Sequence, residues 1–312
     1  MRYNYYSHKN FSELRKTADY QYLGDYLYLG AYKHSGILDN KILLFLFKKI
    51  LPSLYIEKDM AQSDLQKIQK IINKTNSFYF SGFSSKKLST IFAGVTAQPR
   101  GTFIIDLTQP LEKIWDNFDY SLQKQIKKAE NLGLMIKKID DFDDFKKYYD
   151  LLKSFRSVLK FKTASFKSVK KLWQTLHQND LQNSCYEVFL CRDKENRILA
   201  GMGIMINPDE KIFIEVAAAR SQYAITNKLP DNNFLKWQII KWGQQNGFRH
   251  YNLAGVELNP TPGSKEEGIY RFKKKWGGQF VYWYSYEKYF PQNRWYYPIF
   301  YWLFKKLGII SQ

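Results

Sequence analysis

Short apolar runs separated by polar segments fill the second half of the chain. Tyr186–Arg192, Ile198–Ile206 and Lys211–Ala219 are rich in residues that favour strands, and the connections Asp193–Arg197 and Asn207–Glu210 are turn-like. Strand-like runs joined by short turns pair as antiparallel neighbours. The pattern therefore predicts a three-stranded antiparallel meander.

Three helices are predicted upstream of the meander, because apolar residues recur there at helical spacing. The apolar positions are Leu122, Ile126 and Ala129 in the first helix, Phe145, Tyr148 and Leu152 in the second, and Val169, Leu172, Trp173 and Leu176 in the third. Gly133 stands where a helix C-terminus is expected, and the acidic cluster Asp140–Asp144 favours a helix N-terminus.

A second alternation of helices and strands follows the meander. The predicted elements are a helix with Leu235, Ile239 and Trp242 that ends at Gly247, a strand Tyr251–Leu253, a short basic helix around Ile269–Lys275 and a strand Gln279–Glu287. Helices, meander, helix, strand, helix and strand is the element order of the acetyltransferase-like (GNAT) fold. The second half of the chain is therefore expected to adopt that fold.

The first half has a looser version of the same pattern. Its predicted elements are strands at Tyr26–Tyr32, Ile42–Phe47, Ser53–Ile56 and Phe78–Phe83, a His34-Ser35-Gly36 turn and a helix over Leu65–Ile72. A chain of 312 residues suits two cores of roughly 150 residues each. We expect an α/β (α+β) protein of two tandem acyl-CoA N-acyltransferase-like (GNAT) halves, with mixed sheets flanked by helices. The predicted division is 1–118, 119–289 and an aromatic-basic segment 290–312.

The net charge of +19 narrows the range of expected binding partners. A field of this sign attracts nucleic acid, anionic lipid and phosphorylated substrates. The excess is mostly lysine, which favours diffuse attraction to phosphates over bidentate recognition. Aromatic residues make up 18 % of the chain, which suits interfaces as well as an aromatic core.

Cysteine and histidine usage predicts neither a disulfide nor a metal site. Cys185 and Cys191 lie in one predicted strand, about 20 Å apart if it is extended, which is too far for a disulfide. His8, His34, His177 and His250 are scattered without ligand spacing. Reduced thiols and the polar Met1–Tyr20 segment together predict a cytoplasmic location.

The C-terminal segment permits two interpretations. Trp295–Phe304 is apolar and aromatic, is interrupted by Pro298 and precedes Lys305 and Lys306. It is half as long as the roughly 20 residues that a membrane-spanning helix needs. It is therefore either a segment in the headgroup region, making contact with the inner leaflet through Trp295–Ile310, or a helix that covers the core.

Three stretches read together resemble the Fem family of non-ribosomal peptidyl (aminoacyl) transferases. They are Gly101–Leu107 running into Ser121–Ala129 and Gly133, then Gly247–Gly255, and most specifically Gly268–Gly278 with its Phe-Lys and Gly-Gly elements. The resemblance implies a twin acetyltransferase-like fold. It also implies transfer of an amino acid from aminoacyl-tRNA to an amine of a peptidoglycan precursor, although a related branch uses acyl-CoA. It implies no resident cofactor beyond such a co-substrate.

Two departures from the family pattern affect these expectations. The Tyr-rich meander of precursor-binding members is replaced by Phe213–Ala219, which weakens the case for a peptidoglycan substrate. Ser221–Pro230 lacks the glycines with which acetyltransferases hold the CoA diphosphate at a helix N-terminus, which weakens the case for CoA.

Two residues are candidates for catalysis. The resemblance implies that Lys273 is the functional lysine, where a cation neutralises a phosphate or the charge at the reacting ester. The alternative is a solvated lysine in the basic run Lys273–Lys275. Glu215 lies among apolar strand residues and is either a general base facing a cavity or a carboxylate that alternation points to solvent.

Five further residues are candidates for substrate binding. Arg156 is either a bidentate clamp for a diphosphate or a surface arginine. Tyr270 and Arg271 flank Lys273 and are expected in the same cleft. Lys127 and Lys128, with Lys124, form a basic helix face that either follows tRNA or lipid phosphates or is merely solvated.

Three functional hypotheses remain open at this point. The first is aminoacyl transfer from tRNA to an amine of a phosphorylated or lipid-linked envelope precursor, by direct attack without a covalent enzyme intermediate. The second is acyl-CoA-dependent N-acylation in polysaccharide or lipid-linked sugar biosynthesis. The third is a non-catalytic membrane- or RNA-binding protein of the same fold.

Overall fold

The computed structural model describes residues 21–22, 27–31, 52–89, 95–161 and 163–306. Packing divides the chain into two compact units. The first comprises Met1–Arg100 with Tyr282–Gln312, and the second comprises Gly101–Val281. The predicted boundary at residue 118 concerns fold halves rather than packing units, and it stays a prediction.

The strands are β1 (Gln21–Tyr22), β2 (Leu27–Ala31), β3 (Pro52–Asp59), β4 (Tyr79–Ser84), β5 (Thr96–Asp106), β6 (Met135–Lys138), β7 (Tyr186–Arg192), β8 (Ile198–Asn207), β9 (Ile212–Arg220), β10 (His250–Val256) and β11 (Gln279–Tyr289). The helices are α1 (Leu65–Thr75), α2 (Leu111–Asp116), α3 (Tyr120–Asn131), α4 (Phe142–Val158), α5 (Phe166–Leu176), α6 (Gln222–Thr226), α7 (Asp231–Gln245), α8 (Lys265–Lys274) and α9 (Tyr297–Lys306).

The sheet of the second unit contains the predicted meander. Its strands follow the order β5-β10-β9-β8-β7-β6, and β7, β8 and β9 pair antiparallel in sequence order. β6 adds antiparallel to β7, and β5 adds antiparallel to β10. The elements predicted for this half are present, and their bounds lie within a few residues of those read from the sequence.

The parallel pair β9 and β10 is joined by the crossover that contains α6 and α7. The two strands pair over three positions, from Ile212 with His250 to Ile214 with Asn252. Both strands also carry irregularities next to this pairing. The register of β9 against β8 shifts between Glu215 and Ala217, and that of β10 against β5 shifts between Asn252 and Gly255.

Helix ends follow the local chemistry that the sequence indicated. α3 buries Leu122, Ile126 and Ala129, as the spacing predicts. The Asp141 side chain accepts a hydrogen bond from the Asp144 amide at the start of α4, satisfying a backbone donor that the helix leaves unpaired. Gly133 follows α3 with φ +69°, the left-handed conformation that favours glycine at this position.

Close packing against neighbouring backbone explains why two glycines, Gly277 and Gly278, follow α8. Gly277 has φ +63°, and a Cβ there would come within 2.2 Å of the Asn117 carbonyl oxygen. A Cβ on Gly278 would lie 2.9 Å from the carbonyl oxygen of Ile104. Only glycine allows the chain to pass these backbones, so the element directs the chain from α8 into β11.

The first unit repeats the helix-on-sheet arrangement. Its strands follow the order β1-β2-β3-β4-β11, with β3 and β4 parallel and the other pairs antiparallel. α1 connects β3 to β4 and buries Leu65, Ile68 and Ile72 in the core of this unit. The predicted His34-Ser35-Gly36 turn and Ile42–Phe47 strand lie outside the described residues.

The fold is thus a mixed α/β fold with helices flanking a mixed sheet, as predicted. Cys185 and Cys191 are both buried, and no disulfide joins them. Within the described ranges, every helix is too short or too polar to cross a bilayer.

Candidate active site

The candidate site lies where β9 and β10 stop pairing. Glu215 is the first residue of β9 beyond the last parallel pair, that of Ile214 with Asn252. In open α/β sheets, ligands bind outside the carboxyl ends of parallel strands, where neighbouring strands separate. The sheet topology therefore indicates that a ligand-binding site lies around Glu215.

Glu215 is bound by two partners. Its Oε1 lies 2.5 Å from Nζ of Lys236 on α7, and the same oxygen accepts a hydrogen bond from the Tyr251 hydroxyl on β10. Its side chain is 13 % exposed, so it does not point to solvent. Burial and the Glu215 charge raise the pKa of Tyr251 well above its ordinary value, so the phenol stays a proton donor.

Lys236 is a lysine in a core position. Its side chain is 1 % exposed, and its Nζ lies 5.0 Å from the ring of Phe272 and 5.3 Å from the ring of Trp276. Aromatic faces and a carboxylate together compensate a buried ammonium for lost water. Sequence analysis missed this residue, yet a signal existed, since Lys236 shares the buried face of α7 with Ile239 and Ile240.

Lys273 reaches from α8 to the irregular part of β10. Its Nζ donates hydrogen bonds to the carbonyl oxygens of Ala254 at 3.1 Å and Gly255 at 2.9 Å. Burial lowers its pKa to about 8; Glu215 acts in the opposite direction, and Lys236 adds to the lowering. Lys273 is therefore a cation that can lose its proton near neutral pH.

The carbonyls that bind Lys273 are held by a local network. Ala254 has φ +62°, a strained conformation for a residue with a Cβ. Oδ1 of Asn252 accepts from the Ala254 amide at 2.8 Å and from the Thr102 hydroxyl at 2.5 Å. This network fixes the irregularity, and with it the position of the Lys273 ammonium.

A cavity of about 550 Å³ opens on the other face of α8. Its lining includes three cationic side chains, those of Arg220, Arg271 and Lys275, together with the ring of Phe272. Phe272 also contacts Lys236, so one aromatic ring separates the cavity from the buried ion pair. Lys273 itself does not line this cavity.

The N-terminus of α7 forms part of the cavity wall. Asp231 in its first turn is fully buried and accepts hydrogen bonds from Arg220 at 2.5 and 3.0 Å. This carboxylate already supplies negative charge to the positive end of the helix dipole. A ligand phosphate at the cavity therefore has Arg220, Arg271 and Lys275 as partners rather than a free helix terminus.

The other predicted binding residues lie at several places. Arg271 lines the cavity, is 73 % exposed and pairs with Glu267 at 2.8 Å. The ring of Tyr270 packs on Phe103 instead, at 5.4 Å. Lys127 and Lys128 are exposed on α3.

Arg156 is separate from this group. It lies near the buried hydroxyls of Tyr148 and Tyr186, whose pKa values burial raises and the Arg156 charge lowers. The structure thus brings Lys273 and Glu215 together and places Arg156 elsewhere. The assigned roles of all these residues stay predictions.

One group in the described part of the chain could hold a metal ion. Asp140, His177 and Glu187 each offer a ligand atom, all within 4.8 Å of one another. Nζ of Lys138 lies 2.8 Å from Asp140 and 3.5 Å from Glu187, so an ammonium already supplies positive charge there. The three residues have no ligand spacing in the sequence, and only the fold brings them together.

Two solved structures have folds similar to that of this chain. A crystal structure of FemX is similar with a TM-score of 0.65 and 13 % identity, over 94 % of this chain and 92 % of that chain. The structure of L-PGS from Bacillus licheniformis is similar with a TM-score of 0.57 and 13 % identity, over 94 % and 89 %. At these identities the likeness establishes the fold, which is that of the GNAT-like proteins.

The family comparison then narrows the class. The FemAB family matches residues 45–165 of the chain. This match, together with the fold, confirms the predicted resemblance to the Fem-type transferases and the expected enzyme class, a transferase. No curated protein matches the chain significantly.

Proposed function

We propose that the protein is an aminoacyltransferase that forms an amide bond on an amine of a cell-envelope precursor, with aminoacyl-tRNA as donor. The FemAB family match supports an aminoacyl transferase of peptidoglycan-related chemistry. The observation that carries the mechanism is Lys273, a lysine with a pKa of about 8 beside the diverging ends of β9 and β10.

The reaction requires three things of the protein. The acceptor amine must be uncharged and close to the donor ester, the developing oxyanion must be stabilised, and the proton that the amine loses must be accepted. A lysine that titrates near neutral pH suits the last task, because its neutral form accepts the proton and its charged form returns it to the leaving hydroxyl. We assign this exchange to Lys273.

The Glu215–Lys236 pair acts on Lys273 in this proposal. Lys236 pairs with Glu215 at 2.5 Å, and its positive charge opposes the attraction of the carboxylate for the Lys273 ammonium. We therefore treat Glu215 and Lys236 as positioning residues. No metal and no resident cofactor is needed for these steps.

The cavity is the proposed site for the anionic part of the donor. Arg220, at the end of β9, is five residues from Glu215, which is about 17 Å along an extended strand. A phosphate held by Arg220, Arg271 and Lys275 would therefore belong to a long donor whose reactive carbonyl reaches the place where β9 and β10 stop pairing. The basic face of Lys127 and Lys128 lies on α3, which contributes Ser121 and Leu122 to the cavity wall.

The same cavity favours a second candidate donor. Its three cations and volume of about 550 Å³ also suit the diphosphate of an acyl-CoA, which would make the protein an N-acyltransferase of polysaccharide or lipid-linked sugar biosynthesis. Against this alternative, the N-terminus of α7 is occupied by Asp231.

Donor-dependent transfer separates the two candidates. Purified protein is incubated with labelled aminoacyl-tRNA or labelled acyl-CoA and an envelope-precursor amine, and the amide product is detected by mass spectrometry. We expect label from aminoacyl-tRNA, loss of transfer in Lys273→Met, and retention in Lys274→Met, an exposed neighbour on the same helix. Transfer from neither donor, or full activity of Lys273→Met, would overturn the proposal.

A further inference from the structure

Helix α9 is attached to the first unit by one face. Tyr297 is fully buried, its hydroxyl donates to the Asn76 carbonyl at 2.6 Å, and its ring packs on Phe78 at 5.1 Å. One turn later, the ring of Tyr301 packs on Tyr289 at 5.6 Å. This face of the helix therefore covers core residues, which was one of the two interpretations of the segment.

The opposite face of α9 is apolar and exposed. Ile299 is 59 % exposed, Trp302 is 56 % exposed and Leu303 is 40 % exposed. Their spacing of three and four residues places them on one stripe, on the side away from Tyr297. Trp295, immediately before the helix, is 85 % exposed and extends the apolar surface.

Helix α1 of the same unit has the polar outer face that is usual for a helix on a protein surface. It too buries one face, with Leu65, Ile68 and Ile72, but its exposed positions are polar and include Lys70 and Lys74. A helix that faces water on one side carries polar residues there. The outer face of α9 breaks this rule, and contiguous exposed apolar surface of this kind marks a contact site.

The charges at the end of α9 indicate the occupant. Lys305 and Lys306 are exposed in its last turn, and Nζ of Lys306 lies 4.4 Å from the Trp302 ring. Tryptophan beside lysine at the edge of an apolar stripe suits the boundary between lipid headgroups and acyl chains. The net charge of +19 adds attraction to an anionic surface.

We propose that the outer face of α9, with Trp295, Ile299, Trp302 and Leu303, binds in the plane of an anionic lipid bilayer, with Lys305 and Lys306 at the headgroups. The helix has ten residues and is about 15 Å long, so it lies in the interface. The inference goes beyond the proposed reaction, because the surface is on the first unit and requires no particular donor.

Vesicle co-sedimentation with the full chain tests this inference without donor or acceptor, so that its failure is distinct from failure of transfer. The probes are vesicles of phosphatidylcholine alone and of phosphatidylcholine mixed equally with phosphatidylglycerol. We expect binding to the mixed vesicles, weakened on the order of a hundredfold in the Ile299→Ser, Trp302→Ser double variant. The matched control is Val158→Ser with Leu159→Ser, two exposed apolar residues of the second unit, which should bind like the wild type.

A second pair of variants tests the charge contribution. Lys305→Gln with Lys306→Gln should weaken binding to the mixed vesicles by on the order of tenfold, whereas Lys70→Gln with Lys74→Gln on α1 should not. Equal binding by the α9 variants and the wild type would overturn the proposal. So would absence of vesicle binding combined with a concentration-dependent dimer that Trp302→Ser abolishes, because the occupant would then be a second copy of the chain.

Discussion

Two partly buried lysines of the second unit, Lys138 and Lys273, have pKa values shifted in opposite directions. Burial lowers the pKa of Lys138, but the hydrogen bond to Asp140 and the charge of Glu187 outweigh it and raise the pKa above 10.5. Burial also lowers the pKa of Lys273, and there it prevails, leaving a value of about 8. Lys138 is therefore charged over a wide pH range, whereas Lys273 titrates near neutral pH.

Lys273 is the more deeply buried of the two lysines, and their partners also differ. Lys138 contacts two carboxylates directly, at 2.8 and 3.5 Å. Lys273 contacts two backbone carbonyls, and the nearby carboxylate of Glu215 is already paired with Lys236. Burial is the largest cause of the lowered pKa of Lys273, and the positive charge of Lys236 adds to it while the charge of Glu215 opposes it.

The largest expected effect concerns the rate of transfer. Lys273→Met should lower the single-turnover rate of amide formation by about 10²- to 10⁴-fold, the usual contribution of a positioned acid or base. In the wild type, the rate should rise with pH through a pKa of about 8, because the neutral amine is the form that accepts a proton. A pH–rate profile measured for both proteins checks this. If the rising limb of the pH–rate profile were unchanged in Lys273→Met, Lys273 would not be the group that accepts the proton.

Removing Lys236 should make the surroundings of Lys273 similar to those of Lys138. Lys236→Met leaves Glu215 without its cation, so the free energy of unfolding should fall by about 3–5 kcal/mol. The rising limb of the pH–rate profile should also move to higher pH, since Glu215 then stabilises the charged form of Lys273.

Urea unfolding and the same rate assay measure both effects of Lys236→Met. The double variant Lys236→Met, Glu215→Gln is the control, because it removes both charges and should recover much of the lost stability. A rate profile that stays in place in Lys236→Met would contradict the shielding role of Lys236.

The contributions of Lys273 and Lys138 to the free energy of unfolding should change with pH in opposite directions. Between about pH 8 and 10.5, unfolded Lys273 binds a proton that folded Lys273 does not, so its contribution to the free energy of unfolding rises with pH by about 1–3 kcal/mol. For Lys138 the folded pKa is the higher one, so its stabilising contribution is complete below pH 10.5 and is lost as pH rises through the folded pKa. Urea unfolding of the wild type, Lys273→Met and Lys138→Met, measured from about pH 8 to above pH 10.5, gives both slopes, and equal signs would refute the comparison.

The smallest expected effect concerns the phenol that binds Glu215. Tyr251→Phe should lower the free energy of unfolding by about 1 kcal/mol, the net value of a hydrogen bond, and should shift the rate profile only slightly. Tyr297→Phe is the matched control, because it loses a buried hydroxyl that donates to Asn76 in the first unit. Its profile should coincide with that of the wild type; a shift there would show that general destabilisation moves the profile.

Sequence reasoning recovered the elements that local chemistry controls. The meander from Tyr186 to Arg220 and the helix with Leu122, Ile126 and Ala129 follow from periodicity, and Asp141 caps α4 through a side chain adjacent in sequence. The order of these elements then indicated the GNAT-like fold. The resemblance in Gly268–Gly278 led to Lys273, whose position beside Glu215 only the structure supplied.

The missed residues are those whose partners are distant in the chain. Lys236 looks like any lysine of an amphipathic helix until Glu215 and Trp276 are seen around it. Tyr270 was expected in the same cleft as Lys273 because it is close in sequence, but its ring packs on Phe103. Closeness in sequence therefore did not predict which side chains share the cleft.

The sequence alone determined most helices and strands of the second unit, because hydrogen bonding within a segment and the burial of one face depend on residues a few positions apart. The tertiary structure decided the ionisation of Lys273, the pairing of Glu215 and the exposure of Trp302 on α9. These properties depend on which charges and how much water surround a side chain, and that environment is created by segments far apart in the chain.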